Sequence, residues 1–219
     1  MPKVGMEPIR RAALVKATIA EIGEAGTLDV TVSQIAKRAG MSSGLAHHYF
    51  GGKDQIFLAA MHHTLALYAA EVRGALSMAC TPQDRIGAIV RASFAPGHFQ
   101  RDVIAAWLNF YVLAQSSQQA RHLLGIYQRR LQSNLIFALR PLVGSRSVDV
   151  AEQLAGMIDG LYLRQSLGQT LADPERAIKH VMRDLIVRVC QNPTNAFFHF
   201  RTLNTLNRYS LFLFFCRLR

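Results

Sequence analysis

The sequence has only three cysteines and no long apolar run, and each shortage excludes a class of protein. Cys80, Cys190 and Cys216 are odd in number and widely spaced, so they indicate no disulfide framework and suit a reducing compartment. No segment approaches the ~20 apolar residues that a membrane-crossing helix needs. The first residues also lack the apolar core of a secretion signal. We therefore expect a cytoplasmic protein with no membrane partner.

Catalytic and metal-binding signatures are missing as well. The chain contains no H-E-x-x-H, no C-x-x-C, no glycine-rich phosphate loop and no G-x-S-x-G. The paired histidines, His47-His48 and His62-His63, are adjacent in sequence and would point in different directions on a helix. We expect neither an enzyme, nor a cofactor, nor a metal site.

Acidic residues are absent from one stretch, and that stretch carries the clearest motif. No Asp or Glu occurs between Val30 and Lys53, whereas Lys37, Arg38 and Lys53 are basic. The segment predicts two short helices joined by a tight turn, a basic helix-turn-helix able to enter a DNA major groove. An ordinary helical hairpin inside a core is the alternative that the spacing alone leaves open.

Local capping signals place these two helices. Thr31 and Gln34 match a T-x-x-Q capping box at the start of the first helix. Gly40 is positioned to take the left-handed conformation that ends it. Ser42 or Ser43 can cap the second helix.

Two groups of side chains are candidates for contacting DNA. Those expected to read base edges lie early in the second helix, where Gly44 also allows close backbone approach: Ser43, Gly44, Leu45, His47 and His48. Those expected to hold phosphates, which fix the register without reading sequence, lie around them: Thr31, Ser33, Tyr49 and Lys53. Lys53 is the strongest of the second group, because free amides at a helix N-terminus also attract phosphate.

The pattern S-S-G…H-Y-F…K-D between positions 42 and 54 resembles the signature of the TetR family of bacterial repressors. The opening MPKVGM-x-PIRR and the later IDGLYLR are similar to the choline-sensing repressors of glycine betaine synthesis in that family. The resemblance runs from Met1 to about Cys190. It implies a homodimer on an inverted-repeat DNA operator, with choline as the small-molecule effector that weakens binding. A TetR-type repressor sensing a different cationic or hydrophobic ligand is the alternative.

Apolar periodicity predicts an all-α fold of about nine helices. The first helix is expected to start at Pro8, after an arm, and to carry an apolar stripe: Ile9, Ala12, Val15, Ile19 and Ile22. A long helix from Lys53 to about Ala79 is expected to join a three-helix head to a second bundle. Another helix, from Gln119 to Leu139, is expected to end before Pro141.

The expected division of the chain follows from these helices and from the family resemblance. Residues 8–68 form the DNA-binding domain, and residues 69–190 form the ligand-sensing and dimerisation domain. Residues 191–219 form an atypical tail. The resemblance further implies that the last two long helices build a four-helix dimer interface, although their apolar faces could equally pack within one chain.

A choline site needs aromatic faces and often a carboxylate, because a quaternary ammonium offers no N–H to an acceptor. Trp107, Tyr111 and Asp159 are the best candidates for such a cage, with Phe110 and Tyr162 as further members. Asp159 lies three positions before Tyr162, so one helical face can hold both. The alternative is that the aromatic residues are ordinary core and that Asp159 only pairs with a base such as Arg164.

The tail after Gln191 is unlike the rest of the chain, since it is basic, aromatic and free of acids. A cationic aromatic segment can lie on a membrane surface. A reading-frame change near Gln191 is the other explanation, and we favour it.

Removal of residues 194–219 is therefore expected to leave operator binding intact. A DNA titration of the truncated protein beside the full chain measures this. Loss of binding on truncation would contradict the expectation.

Overall fold

The computed structural model describes residues 5–98, 100–167 and 173–190, without the side chains of Tyr162 and Ser166. Within these ranges the chain is helical and contains no β-strand, which confirms the predicted fold class. The helices are α1 (Met6–Ala25), α2 (Val32–Arg38), α3 (Ser43–Phe50), α4 (Lys53–Ser77), α5 (Pro82–Ser93), α6 (Arg101–Ser116), α7 (Gln118–Val143), α8 (Ser147–Leu167) and α9 (Pro174–Cys190), with a 3-10 turn at Gly144–Arg146. None of them combines the length and the apolarity that a membrane-spanning helix needs.

The predicted caps of α2 and α3 are present. The backbone N–H of Gln34 donates to Thr31 Oγ1 at 3.2 Å, and the Thr31 N–H donates to Gln34 Oε1 at 2.7 Å. Gly40 has a φ of 68° in the turn, where glycine carries no steric penalty. The backbone N–H of Leu45 donates to Ser42 Oγ at 3.2 Å, so Ser42 is the cap of α3.

In the head, α1, α2, α3 and the first turns of α4 all contribute to the apolar core, which continues into the other helices. Its members in the head are nearly fully buried: Leu14, Ile22, Val30, Ile35, Ala36, Ala46, Ile56 and Phe57. This core fixes α3 against α2, so that the outer face of α3 is presented as one rigid surface.

Helix α1 starts slightly earlier than predicted, and its predicted apolar stripe is confirmed only in part: Val15, Ile19 and Ile22 pack in the core, whereas Ile9 and Ala12 are exposed. The helix begins at Met6, because Gly5 adopts a φ of 105° and the first-turn N–H that Pro8 lacks has no intrahelical partner anyway. Ile9 is 62% exposed, whereas Leu14 and Thr18 are buried. Helices α2, α4 and α6 all pack on α1, and together they bury a face that keeps Val15 and Ile22 of the predicted stripe and adds Leu14 and Thr18.

The predicted end of α7 was also wrong, because the helix runs through Pro141 to Val143. Proline cannot bond the carbonyl four residues earlier, and its ring crowds that carbonyl, which belongs to Phe137. Both Phe137 and Pro141 are exposed, so the interruption lies on the solvent side of the helix and the inner side continues undisturbed.

Helix α4 links the head to the remaining helices. Its 25 residues span roughly 37 Å at ~1.5 Å per residue. Ile56 and Phe57 near its start belong to the apolar core of the head, and α4 also packs on α5, α6 and α7. The division at residues 8–68 and 69–190 therefore falls within one continuous helix and stays a prediction, and the tail at 191–219 lies outside the described residues.

Candidate DNA interface and ligand cavity

Helix α3 has two distinct faces. Gly44, His47 and His48 are exposed and lie at i, i+3 and i+4, so they share the outer face. Ala46 is fully buried on the opposite face. The exposed face is the one that a DNA groove can reach.

The remaining predicted base readers lie at the edges of this face. Ser43 and Leu45 are half-buried. A Cβ built on Gly44 would meet no other atom within 4 Å, so a nucleic-acid strand can approach the backbone there. His47 Nδ1 lies 3.2 Å from the carbonyl oxygen of Gly51, which orients its ring at the end of the helix.

The predicted phosphate contacts differ in how freely they can act. Ser33 is exposed at the start of α2. Thr31 is also exposed, but its hydroxyl donates to Gln34 Oε1 at 2.8 Å as part of the cap. Lys53 opens α4, where the N-cap Gly52 supplies no side-chain cap and leaves the first amides available. Lys53 therefore combines a positive side chain with an uncapped helix N-terminus, which suits phosphate.

Tyr49 is tied to α1 by two arginines. Arg10 Nη1 donates to its hydroxyl at 3.3 Å, and the guanidinium of Arg11 lies 5.5 Å from its ring centroid. Arg11 also lies 5.0 Å from the ring of Phe50 and 2.8 Å from Glu7. These contacts place two positive charges of α1 beside the end of α3.

Arg38 contributes less to the positive surface than the sequence suggested. It forms ion pairs with Glu21, at 2.5 Å, and with Glu24. Hydrogen bonding to these two carboxylates raises the pKa of Arg38. Its role is to fasten α2 to α1, and the carboxylates offset its charge.

A cavity of about 480 Å³ lies between α4, α5, α6, α7 and α8, away from the DNA-facing helices. Its lining is mostly apolar and aromatic: Tyr68, Ser93, His98, Ile104, Trp107, Leu108, Tyr111, Val112, Tyr127, Asp159, Gly160 and Leu163. Concave sites of this size, with a few polar groups in an apolar lining, are typical of small-molecule binding.

Three aromatic rings and one carboxylate meet at one end of this cavity. The ring centroid of Trp107 lies 5.0 Å from that of Tyr127 and 6.0 Å from that of Tyr111. The hydroxyl of Tyr127 donates to Asp159 Oδ1 at 3.2 Å. Aromatic faces beside a carboxylate form an environment that favours an organic cation.

Burial shifts the ionisation of this cluster. Desolvation raises the pKa of Asp159, and hydrogen bonds from Tyr127 and Tyr111 oppose that rise. Desolvation, with the neighbouring charge of Asp159, also raises the pKa of Tyr111. Both effects express the cost of negative charge in this pocket, a cost that a bound cation would lower.

The structure brings together three of the five predicted cage residues. Trp107, Tyr111 and Asp159 line the cavity. Phe110 is not part of the lining; it is buried behind Trp107, with ring centroids 6.0 Å apart. Tyr162 lies in α8, but its side chain is outside what the structure describes.

Sequence reasoning missed several lining residues. Tyr68 looked like one apolar position of a long helix, and Ser93 and His98 lie around a helix end with no motif near them. Tyr127 lies on α7, and no helical spacing links it to Trp107 on α6 or to Asp159 on α8. Spacing can group residues within a helix, but it cannot show which helices meet.

A helix-turn-helix head joined to a separate effector-sized cavity defines a ligand-responsive transcriptional regulator. Two family models match the chain: residues 14–60 match "Bacterial regulatory proteins, tetR family", and residues 82–191 match "BetI-type transcriptional repressor, C-terminal". The chain therefore belongs to the TetR family of bacterial transcriptional regulators, and its C-terminal half is of the BetI type.

Curated relatives agree with this assignment. The chain is 48% identical over 195 residues to the HTH-type transcriptional regulator BetI of Brucella suis, covering 89% of this chain and 98% of that protein. It is 50% identical over 168 residues to BetI of Rhizobium meliloti, covering 76% and 83% respectively. These relatives are transcriptional regulators, so the chain is a regulator and not an enzyme, as the missing catalytic motifs predicted.

Solved structures share the fold. A transcriptional regulator from Pseudomonas aeruginosa PAO1 superposes with a TM-score of 0.74 at 24% identity, over 84% of this chain and 92% of that one. A regulator from Saccharomonospora viridis, solved in complex with choline, superposes with a TM-score of 0.71 at 21% identity, over 81% and 95%. The architecture is thus that of TetR-family regulators.

Proposed function

We propose that this protein represses genes of choline uptake and glycine betaine synthesis, and that choline weakens its hold on the operator. The observation that carries the proposal is the cluster of Trp107, Tyr111 and Tyr127 around the carboxylate of Asp159. The BetI name of the relatives and the choline bound to a distant fold neighbour support it. A repressor acts where its operator lies, so we place the protein in the cytoplasm.

The DNA-binding form is proposed to be a homodimer on an inverted repeat. Helices α8 and α9 expose large apolar side chains that a second copy would cover: Leu163, Leu167, Ile186 and Val187. A twofold dimer would present two α3 helices to two half-sites about one helical turn apart, or a multiple of that spacing. The base and phosphate contacts named above are proposed for each head.

The mechanism is proposed to be a shift between two arrangements of the heads. The unliganded dimer would favour the separation that fits the operator, and choline in the cavity would favour another. Coupling between two sites of ~1–3 kcal/mol is typical. Choline would then weaken operator binding by roughly 5- to 150-fold.

The test is a fluorescence-anisotropy titration of the protein against DNA from upstream of its own gene, with choline or glycine betaine added. Salt-sensitive binding to an inverted repeat, weakened by choline alone, is the expected result. Binding that no choline concentration changes would retain the repressor and remove choline as its effector.

Lys53→Ala is expected to weaken binding to operator and non-specific DNA alike, because it removes a phosphate contact and not a base contact. The slope of log K against log salt should fall by about 1 per protomer, or about 2 for the dimer. Arg130→Ala on α7, an exposed site that also loses one positive charge, is the matched control. An unchanged salt slope in Lys53→Ala would show that this lysine makes no phosphate contact.

A second candidate function is a repressor of the same family with a larger cationic or hydrophobic effector. The volume of about 480 Å³ favours it, since cavities of this size hold drug-sized ligands. Titration with a panel of organic cations of increasing size, beside choline, separates the two candidates by relative affinity.

A further inference from the structure

Tyr68 lies between two chemically different ends of the cavity. Five rings follow one another along its wall, from Tyr111 through Trp107, Tyr127 and Tyr68 to His98, with neighbouring centroids 5.0–6.0 Å apart. Asp159 lies at the end formed by Tyr111 and Tyr127. Ser93 and His98 form the other end, where His98 Nε2 lies 2.6 Å from Glu71 Oε2.

Two hydroxyl groups meet at this second end, and Ser93 has a further partner in its own helix. Ser93 Oγ donates its proton to the carbonyl of Ile89, one helical turn earlier, at 2.9 Å. Tyr68 Oη lies 3.2 Å from Ser93 Oγ. Each hydroxyl carries one proton, so while Ser93 donates to Ile89, Tyr68 is the donor in the contact with Ser93. What Tyr68 still offers the cavity is an oxygen lone pair, which accepts a hydrogen bond but donates none.

Charge reinforces this preference. Desolvation, with contributions from Asp159 and Glu71, raises the pKa of Tyr68 to about 12, so the phenol keeps its proton at neutral pH. Glu71, beside His98, adds a carboxylate near this end, and Asp159 lies further along the cavity. A neutral hydroxyl that donates a hydrogen bond suits this end, and a carboxylate suits it poorly.

We propose that Tyr68, held by Ser93, is the residue that makes the cavity select an alcohol over a carboxylate in its quaternary ammonium ligand. The inference rests on the proposed function, because it takes choline as the effector. With the ammonium group between Trp107, Tyr111 and Tyr127, the choline hydroxyl donates to Tyr68 Oη. Glycine betaine has no proton to donate there and brings a negative charge, so the sensor responds to the alcohol and not to its oxidised product.

The test uses the full-length protein and three probes: choline, its O-methyl ether and glycine betaine. The ether keeps the ammonium and the oxygen but has no hydrogen to donate. Binding is followed by calorimetry and by the emission of Trp107, the single tryptophan of the chain. Wild type is expected to bind choline about five- to tenfold more tightly than the ether, as one hydrogen bond implies. Tyr68→Phe should bind the two equally, through loss of choline affinity alone.

Ser93→Ala is the second variant, and it frees the proton of the Tyr68 hydroxyl instead of removing the hydroxyl. Without Ser93 Oγ, Tyr68 can turn its proton toward the cavity, so the preference for choline over glycine betaine should shrink. This variant also keeps the proposal testable if Tyr68→Phe fails to fold.

The outcomes distinguish the role of Tyr68 from the identity of the effector. Choline binding by wild type with an unchanged choline-to-ether ratio in Tyr68→Phe overturns the role of Tyr68 and leaves the choline sensor standing. Absence of choline binding by wild type overturns the proposed effector, and the role of Tyr68 with it.

Discussion

Asp159→Asn is expected to remove the choline response while making the unliganded protein more stable. The carboxylate lies in the cavity and accepts a hydrogen bond from Tyr127. In the empty site its charge is costly, because desolvation raises its pKa. With choline in the proposed site, the same charge lies beside the ammonium group. Two unit charges ~5 Å apart attract by about 3 kcal/mol at an effective dielectric constant of ~20, so neutralisation should lower choline affinity by up to roughly 100-fold. Calorimetry with choline and thermal melts without it measure the two effects.

The same group sets a pH dependence with a definite sign. The pKa of Asp159 is raised in the folded protein above its unfolded value, so the stability linked to this group is fully present below the unfolded pKa. It is lost as pH rises through the folded pKa. If choline is the effector, as proposed, it should bind the ionised form, so choline affinity should fall as pH falls through that raised pKa. Asp159→Asn should abolish both dependences.

The control is Asp149→Asn, the same substitution at an exposed position near the start of α8. It should change neither choline affinity nor its pH dependence. Full choline binding by Asp159→Asn would show that the aromatic rings alone hold the cation, and the proposed cage would then lose its carboxylate.

The predicted head and the predicted cavity differ in how much could be read from sequence. The capping box of Thr31 and Gln34, the left-handed Gly40 and the Ser42 cap depend on residues within a few positions of one another. These local hydrogen bonds and backbone conformations do not depend on which other helices pack nearby, so the sequence alone predicts them. The helix-turn-helix could therefore be placed almost residue by residue.

The cavity depends on contacts that no local signal encodes. Trp107 and Tyr111 are four positions apart on α6, so their shared face was predictable. Tyr68, His98 and Asp159 also line the cavity, although each is at least 30 residues from the other two along the chain. The buried face of α1 was likewise only partly predictable from local sequence. Periodicity made Ile9 a core residue, whereas the helices that pack on α1 bury Leu14 and leave Ile9 exposed.

Charge was the feature that sequence described least well. Arg38 counts as a positive charge of the reading head, yet Glu21 and Glu24 on α1 pair with it. The acid-free stretch between Val30 and Lys53 is acid-free only along the chain. In the folded protein, the carboxylates of Glu21 and Glu24 on α1 lie beside this segment.

The contact between α1 and α6 joins a helix of the head to a helix that lines the cavity. Helix α6 supplies Trp107 and Tyr111 to the cavity and also packs on α1. Gly23 allows this approach, because a Cβ added there would lie 2.6 Å from Cα of Asp102 and closer still to its Cβ. A second tie is the hydrogen bond from Asn109 Nδ2 to the carbonyl of Gly26, at 3.2 Å. A ligand that displaces α6 must therefore displace α1 as well.

Gly23→Ala is expected to destabilise the protein by about 1–3 kcal/mol, the usual cost of overpacking, even though alanine favours a helix more than glycine does. For a domain of this size that lowers the melting temperature by roughly 2–4 °C for each kcal/mol. The control is Gly74→Ala in α4, where an added Cβ meets nothing within 4 Å and the helix should gain about 0.5–1 kcal/mol.

The functional consequence of Gly23→Ala is expected to be a smaller response to choline. Pushing α6 away from α1 weakens the link between cavity and head, so choline should still bind, but the ratio of operator affinities without and with choline should move toward one. Because the coupling is reciprocal, operator DNA should also change choline affinity less than in wild type. If Gly23→Ala keeps the full ratio while its melting temperature falls, the α1–α6 contact supports the fold without carrying the signal, and the long helix α4 becomes the remaining route between the two sites.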